Sequence, residues 1–269
     1  MTTSPPSQSE FPWWLAAAVA LALAAALAIA ASDLYSQVFT VVSRGVLITI
    51  FVTVVAFTLA SALGLGIALM ALSGSAVLRQ VARFYVEIIR GVPVLVLLFW
   101  IAFAGVPAFV AGWNALAAPL QEAGLIDALQ VRDVSLLWRA IIALTIGYSA
   151  FISEVFRAGI QAVDRGQIEA AKALGLSRYR RFRHVVMPQA IRTILPPLGN
   201  DFVAMVKDSS LVSVLGVADI TQMGKIYAAG SFRFFETYSI VAYIYLILTV
   251  GLSLALRALE NRLRKGTHP

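Results

Sequence analysis

Long apolar runs alternate with short polar segments along most of this chain. A helix needs about 20 mainly apolar residues to cross the hydrocarbon core of a bilayer. Runs of that kind predict membrane-spanning helices at residues 13–31, 45–72, 84–106, 136–158, 188–216 and 236–258. The runs are continuous and lack the period-two alternation that marks strands of a membrane β-barrel. The pattern therefore predicts an all-α, polytopic membrane protein with six spans.

Composition supports the membrane assignment. Hydrophobic residues make up 60% of the sequence and charged residues only 13%, about half the charged share of a typical soluble domain. The chain has no cysteine, which excludes disulfides and thiolate metal sites. The net charge of +7 is explained by loop orientation and by contact with anionic membrane lipid. No nucleic-acid partner is expected.

Clusters of Lys and Arg orient the predicted spans, because positively charged loops tend to stay in the cytoplasm. The basic segments are 79–90, 157–192 and 257–265. The predicted outer segments are 32–44, 107–135 and 217–235. Six spans with this polarity place both termini in the cytoplasm, and the polar residues 1–12 are predicted to form a disordered tail. The first run resembles a secretory signal at Ala28–Ala30, but residues 1–12 contain no Lys or Arg, which favours an uncleaved span.

The fifth apolar run, residues 188–216, contains several polar and helix-breaking residues. Such groups are costly in hydrocarbon unless they face protein or water. We therefore predict a broken helix whose polar side chains line a translocation pathway: Asn200, Asp201, Lys207, Ser209 and Ser210. Lys207 has an alternative role as an anchor in the outer interface, because it lies about 28 Å along the helix from Pro188.

The segment 160–188 is a basic, polar loop between apolar runs. Its QIEAAKALGL portion predicts a short helix that ends at a glycine bend, and Ser177 is placed to cap a second short helix. The small side chains of the first helix would let another protein approach closely. A solvated amphipathic loop without a partner would have a similar sequence, so the residue pattern alone leaves both interpretations open.

Two carboxylate–arginine pairs have helical i, i+3 spacing near the predicted cytoplasmic ends of spans. They are Glu87 with Arg90 and Glu154 with Arg157. Each is interpreted as a structural ion pair or a gate. His184 is a lone histidine, so no metal site is predicted. No catalytic residues are predicted either, because no pair of carboxylates has surroundings typical of an acid–base site.

The loop also resembles a known motif. Glu169-Ala170-Ala171, Gly175 and Met187-Pro188 have the spacing of the EAA loop in permease subunits of bacterial ATP-binding cassette importers. Three further blocks, YVEIIRGVPVLVLLF, MPQAIRTILPPLGN and MVKDSSLVSVLGVADIT, resemble the subfamily that carries polar amino acids such as histidine, glutamate, glutamine, arginine and opines. The resemblance extends over about residues 45–263.

The resemblance implies a five-span permease domain over 45–263, with span 13–31 as an addition, in the bacterial inner membrane. It implies that the loop is a coupling helix on a dimer of ATP-binding cassette ATPases, through Gly166, Glu169, Ala170, Ala171, Gly175, Leu176 and Pro188. It further implies a second permease subunit, identical or homologous, and a periplasmic or lipid-anchored amino-acid-binding protein. ATP and Mg²⁺ would bind to the ATPase, because this chain has no Gly-rich phosphate loop and no cofactor of its own.

Two other functions remain as alternatives. An ion-coupled secondary transporter would need no ATPase, and would be expected to carry an inverted repeat, which is not visible in this sequence. A membrane scaffold or sensor is the third function considered. The resemblance favours the non-catalytic permease subunit of an importer, and the sequence leaves the transported amino acid open.

Overall fold

The computed structural model describes residues 13–265, and within that range the fold is all-α without a strand. The helices, numbered in chain order, are α1 Trp13–Ala31, α2 Asp33–Ser43, α3 Val46–Ala71, α4 Ala76–Gly91, α5 Val94–Trp100, α6 Val106–Glu122, α7 Leu136–Gln161, α8 Arg165–Ala173, α9 Arg178–Arg181, α10 Met187–Asp208, α11 Ile220–Ser231 and α12 Phe234–Lys265. The predicted tail, 1–12, lies outside the described residues.

Four stretches of the described residues are long and apolar enough to cross a membrane: Asp33–Ala71, Val94–Glu122, Leu136–Gln161 and Phe234–Leu259. The predicted first span appears as a shorter apolar helix, Ala16–Ala31, within α1. Helix α10, at the predicted fifth span, falls outside this set because charged and polar residues interrupt its apolar sequence. The count of six spans and the cytoplasmic location of both termini stay predictions.

Helices α3 and α7 form the main packing interface. Small residues on α3, including Ala56, Ala60 and Gly64, are buried there, and Leu144 and Ile152 of α7 are fully buried on the other side. Small side chains let helix backbones approach closely, which is how helices associate in a bilayer where burial of apolar groups gives little driving force. This interface fixes α7 relative to the rest of the bundle.

A buried arginine stabilises the end of the bundle where α7 begins. Helices α5 and α6 are joined through a π turn, Ile101–Gly105, and π turns disturb the regular pairing of backbone groups. The Arg139 guanidinium donates to the carbonyl of Ala102 over 3.0 Å. It also donates to the carbonyls of Val134 and Val131. Three backbone carbonyls thus satisfy a charge that is only 8% exposed, and they tie α7 to the segment that precedes it.

The fifth apolar run is not broken at its prolines. Helix α10 runs continuously through Pro196 and Pro197, and regular α-helix ends only where a 3-10 segment, Ser209–Leu215, begins. Proline removes backbone donors and usually kinks a helix, but α10 packs against both α7 and α12. Neighbouring helices of this kind let membrane helices tolerate proline. The prediction of a broken helix in the run 188–216 gave no position for the break, and the change from α-helix to 3-10 helix at Ser209 lies within that run.

The contact between α3 and α7 predicts that two glycines of α3 respond differently to the same substitution. A Cβ on Gly64 would lie 2.9 Å from the Ser149 carbonyl oxygen, whereas a Cβ on Gly66 would meet nothing within 4 Å. We expect Gly64→Ala to destabilise the fold by about 1–3 kcal/mol through overpacking. Gly66→Ala should be neutral or stabilise the helix by up to about 1 kcal/mol.

Thermal unfolding of the detergent-solubilised protein measures both effects. The account expects a lower midpoint for Gly64→Ala and an equal or higher one for Gly66→Ala. Equal midpoints for the two variants would contradict the close α3–α7 contact.

Candidate functional site

The first element of the site is the short helix α8, which has well-defined ends. The Asp164 side chain accepts a hydrogen bond from the Gln167 backbone N–H over 3.1 Å and caps the N-terminus. At the other end Gly175 has φ of +75°. The N–H of Leu176 donates to the Ala171 carbonyl over 3.1 Å, and that of Gly175 to Lys172 over 3.0 Å. This pair of bonds is the Schellman arrangement that ends a helix at glycine, so the predicted glycine bend is confirmed.

The second half of the loop returns the chain to the bundle. Ser177 accepts a hydrogen bond from the Arg180 N–H over 3.4 Å and begins α9, as predicted. A π turn, Phe182–Val186, then joins α9 to α10. Pro188 lies in the first turn of α10, directly after the π turn. Gly166 leaves room for the helix cap, because a Cβ there would lie 2.9 Å from Asp164 Oδ1.

The two sides of α8 have different surroundings. Ala171 is buried, and Ile168 packs against an apolar cluster that includes Val186, Ala190 and Ile194. The opposite side, with Glu169, Ala170, Ala173 and Gly175, is exposed. The sequence pattern predicted that Ala170, Ala171 and Ala173 lie on one face that a partner can approach. The structure corrects this for Ala171, since the helical turn directs it inward while its neighbours face outward; Leu176 is half-buried.

Two large apolar side chains are exposed on this loop. Leu174 is 81% exposed at the end of α8, and Tyr179 is 71% exposed on α9. Neither lies in a stretch that is apolar enough to cross a membrane. Together with the exposed side of α8 they form a surface that we call the loop face: Glu169, Ala170, Ala173, Leu174 and Tyr179. Exposed apolar groups with a polar rim are typical of protein-binding surfaces.

The second element of the site is a cavity of about 440 Å³ between α3, α4 and α7. Its charged lining residues are Arg79, Arg83, Glu87, Arg90, Glu154 and Arg157. Glu154 and Arg157 form a bidentate ion pair: the Nη2–Oε2 distance is 2.5 Å and the Nε–Oε1 distance is 3.0 Å. The predicted pairing of these two residues is therefore confirmed.

The other predicted pair does not form. No ion pair joins Glu87 to Arg90 in the part of the chain that the structure describes. The Arg90 guanidinium instead lies over the Phe151 ring of α7, 5.4 Å from its centroid, because an aromatic face attracts a cation and α7 supplies one at that level. Both residues nevertheless line the same cavity as Glu154 and Arg157. The structure thus brings the two pairs together into one charged site.

The five residues predicted to line the pathway do not form a single cluster. Asp201 has a carboxylate oxygen that is buried without a hydrogen-bond partner, while Asn200 is exposed. Lys207 is exposed and lines a separate cavity of about 240 Å³ beside α12. Ser209 is fully buried and donates to the Val206 carbonyl over 2.7 Å, which is a local helix-end contact. Ser210 is half-buried.

Arg79 and Arg83 of α4 entered the sequence prediction only as charges that orient the chain. Arg79 and Arg83 line the cavity with Glu87 and Arg90. Their spacing, at intervals of three and four residues, places all four side chains on one side of a helix. That regular spacing was the signal that would have indicated a charged lining.

The sequence of this chain matches a known family and is similar to named transport proteins. Residues 60–265 match the family described as the inner membrane component of binding-protein-dependent transport systems. The probable amino-acid permease protein YxeN of Bacillus subtilis is 34% identical over 218 residues, which cover 81% of this chain and 89% of that protein. The glutamine transport system permease protein GlnP of Escherichia coli is 36% identical over 221 residues, covering 82% and 92%.

A solved structure is also similar. The crystal structure of an amino acid ABC transporter with histidines contains a chain 38% identical to this one, with a TM-score of 0.68. The match covers 85% of this chain and 95% of that one. Over most of its length this chain is therefore similar to transport proteins in both sequence and fold.

Proposed function

Since this chain belongs to the inner membrane components of binding-protein-dependent transport systems, we propose that it forms the membrane pathway of an ATP-driven importer for a polar amino acid. The similar proteins YxeN and GlnP carry the names of an amino-acid and a glutamine permease. The single observation that best supports this mechanism is the loop face. Leu174, directly after α8, is 81% exposed although α8 is capped at both ends. The ion-coupled secondary transporter is not favoured by any of these relatives.

The loop face is proposed to bind a cytoplasmic ATPase dimer, which would hold ATP and Mg²⁺. Glu169 and the arginines of α9 supply a polar rim around Leu174 and Tyr179. The inner side of α8 rests on the apolar cluster that contains Ala190 and Ile194 of α10. A push on the loop face would therefore reach the membrane helices. Closing of the ATPase would then shift the pathway between inward-facing and outward-facing states.

Further partners complete the proposed importer. A second permease subunit, identical or homologous, would form the pathway with this one. A periplasmic or lipid-anchored binding protein would deliver the amino acid from the outer side. Membrane lipid would cover the remaining apolar surface, which includes Leu47, Phe84 and Trp100. This chain supplies the pathway and the loop face, and hydrolysis takes place on the partner.

The charged cavity is proposed to contact the amino acid during transport. Its volume of about 440 Å³ lies within the range of about 300–1,000 Å³ usual for small-molecule sites. A zwitterion needs a cation for its carboxylate and an anion for its ammonium group, and the cavity contains arginines beside Glu87 and Glu154. On α10, the unpartnered oxygen of Asp201 and the exposed Lys207 are proposed as further groups of the pathway.

The first prediction concerns the loop face. Full burial of a leucine at an interface contributes about 1.5–3 kcal/mol. Leu174→Asp should remove this contribution, so the affinity for the ATPase, and with it the amount of ATPase retained, should fall roughly tenfold or more. Co-purification of the ATPase with the tagged permease measures this. Leu125→Asp is the matched control, because Leu125 is similarly exposed, at 70%, but lies in the predicted outer segment.

The ATPase should remain bound to the Leu125 variant. Equal retention by both leucine variants would show that the loop face does not bind the ATPase. Glu169→Lys should weaken the same contact without removing apolar area.

A second prediction concerns the cavity. Glu154→Gln removes the anion that holds Arg157, and a charged hydrogen bond to the solute is worth about 1.5–3 kcal/mol. We therefore expect the KM for uptake to rise at least tenfold, measured by initial rates in proteoliposomes. Glu236→Gln is the matched control, since Arg233 and Glu236 form another i, i+3 ion pair, with a 3.5 Å contact, at the junction of the predicted outer segment 217–235 and the predicted span 236–258. A KM that responds equally in both variants would contradict a solute site in the cavity.

A further inference from the structure

A pair of glutamines joins the loop to the membrane bundle. The Gln189 side-chain amide donates to Gln167 Oε1 over 2.5 Å and to the Val185 carbonyl over 2.9 Å. Both of its N–H groups are therefore used. Gln167 lies in the first turn of α8, Val185 in the π turn and Gln189 in the first turn of α10. One side chain thus contacts all three elements.

Gln167 is fixed through its backbone as well as its side chain. Its N–H donates to the Asp164 cap over 3.1 Å, and its side-chain oxygen accepts from Gln189. The next residue, Ile168, packs against the apolar cluster under α8. Apolar packing is not directional, so the cluster alone would let α8 shift over α10. A hydrogen bond of defined length and direction restricts that movement.

The π turn is the point where such a restriction matters. Segments of π-helix are irregular and are often found at functional sites, and the turn Phe182–Val186 lies directly between α9 and α10. A bend there would absorb a displacement of α8 before it reached α10. Gln189 holds the Val185 carbonyl of this turn and the side chain of α8 at the same time.

We infer that the Gln167–Gln189 hydrogen bond makes α8 and α10 move as one body, so that both glutamines are positioning residues for energy coupling. This inference rests on the proposed function, because it requires an ATPase that moves α8. The bond is partly exposed to water and contributes modestly to stability. Its role is to transmit a displacement, and the readout is therefore the number of solute molecules transported per ATP hydrolysed.

The test uses the complete importer in proteoliposomes, with radiolabelled glutamine or another polar amino acid that the wild type transports. Gln189→Leu removes both donors, and we expect transport per ATP to fall about fivefold or more, the lower end of typical coupling between sites. Gln167→Glu keeps an acceptor oxygen facing Gln189 and should keep the wild-type ratio. Gln37→Leu, on the exposed side of α2, is the matched control and should also keep it.

An unchanged ratio in Gln189→Leu would overturn the inference, as would an equal loss in Gln167→Glu. If Gln189→Leu does not assemble, Gln167→Leu carries the test, because Gln167 is exposed and its substitution leaves the apolar cluster intact. The two proposals fail in different ways. A wild-type complex without ATP-driven uptake would refute the proposed function, whereas normal coupling in the variants would refute only the role of the glutamines.

Discussion

The close contact between α3 and α7 determines where the other parts of the molecule lie. A Cβ on Gly64 would come within 2.9 Å of the α7 backbone, so no larger side chain fits without displacement. Helix α7 then presents Glu154 and Arg157 to the charged cavity and the Phe151 ring to Arg90. Its C-terminal end leads into α8, and α10 packs along it. The α3–α7 contact thus positions both the cavity and the loop face, because α7 borders the one and leads into the other.

Polar groups inside the bundle fall into two kinds. Most are satisfied locally: Arg139 by three carbonyls, Asp208 by the Tyr148 hydroxyl over 2.8 Å, and Asp219 by Tyr245 over 3.1 Å. Such pairings hold helices together in surroundings where unpaired groups are costly. Among the described residues, the buried side-chain oxygens without a hydrogen-bond partner are those of Ser61, Asp201 and Gln222. Asp201 is the charged residue among these three, and it belongs to the groups that we propose for the pathway.

Local patterns were predictable from sequence, and contacts between distant segments were not. The glycine bend at Gly175, the cap at Ser177 and the ion pair of Glu154 with Arg157 each depend on residues within a few positions of one another. The pairing of Arg90 with Phe151 depends on the packing of α4 against α7, and it displaced the expected local partner Glu87. The continuous α10 and the inward direction of Ala171 likewise follow from neighbours that periodicity does not reveal.

The contact between Gln167 and Gln189 illustrates the same limit. The two residues are 22 positions apart, and each alone reads as an ordinary polar residue at the start of a helix. Only the fold shows that the π turn brings the two helix starts together. The loop that contains the alanines and Gly175 is therefore joined to α10 through two glutamines that the motif does not include.

The central claim is that ATP hydrolysis on a partner drives an amino acid through this chain. The most direct measurement is uptake of radiolabelled amino acid by proteoliposomes that contain the permease with its ATPase and binding protein, with ATP supplied on the ATPase side. The account predicts uptake that requires ATP and persists after ionophores dissipate the proton and sodium gradients. Uptake driven by an ion gradient without ATP would contradict it.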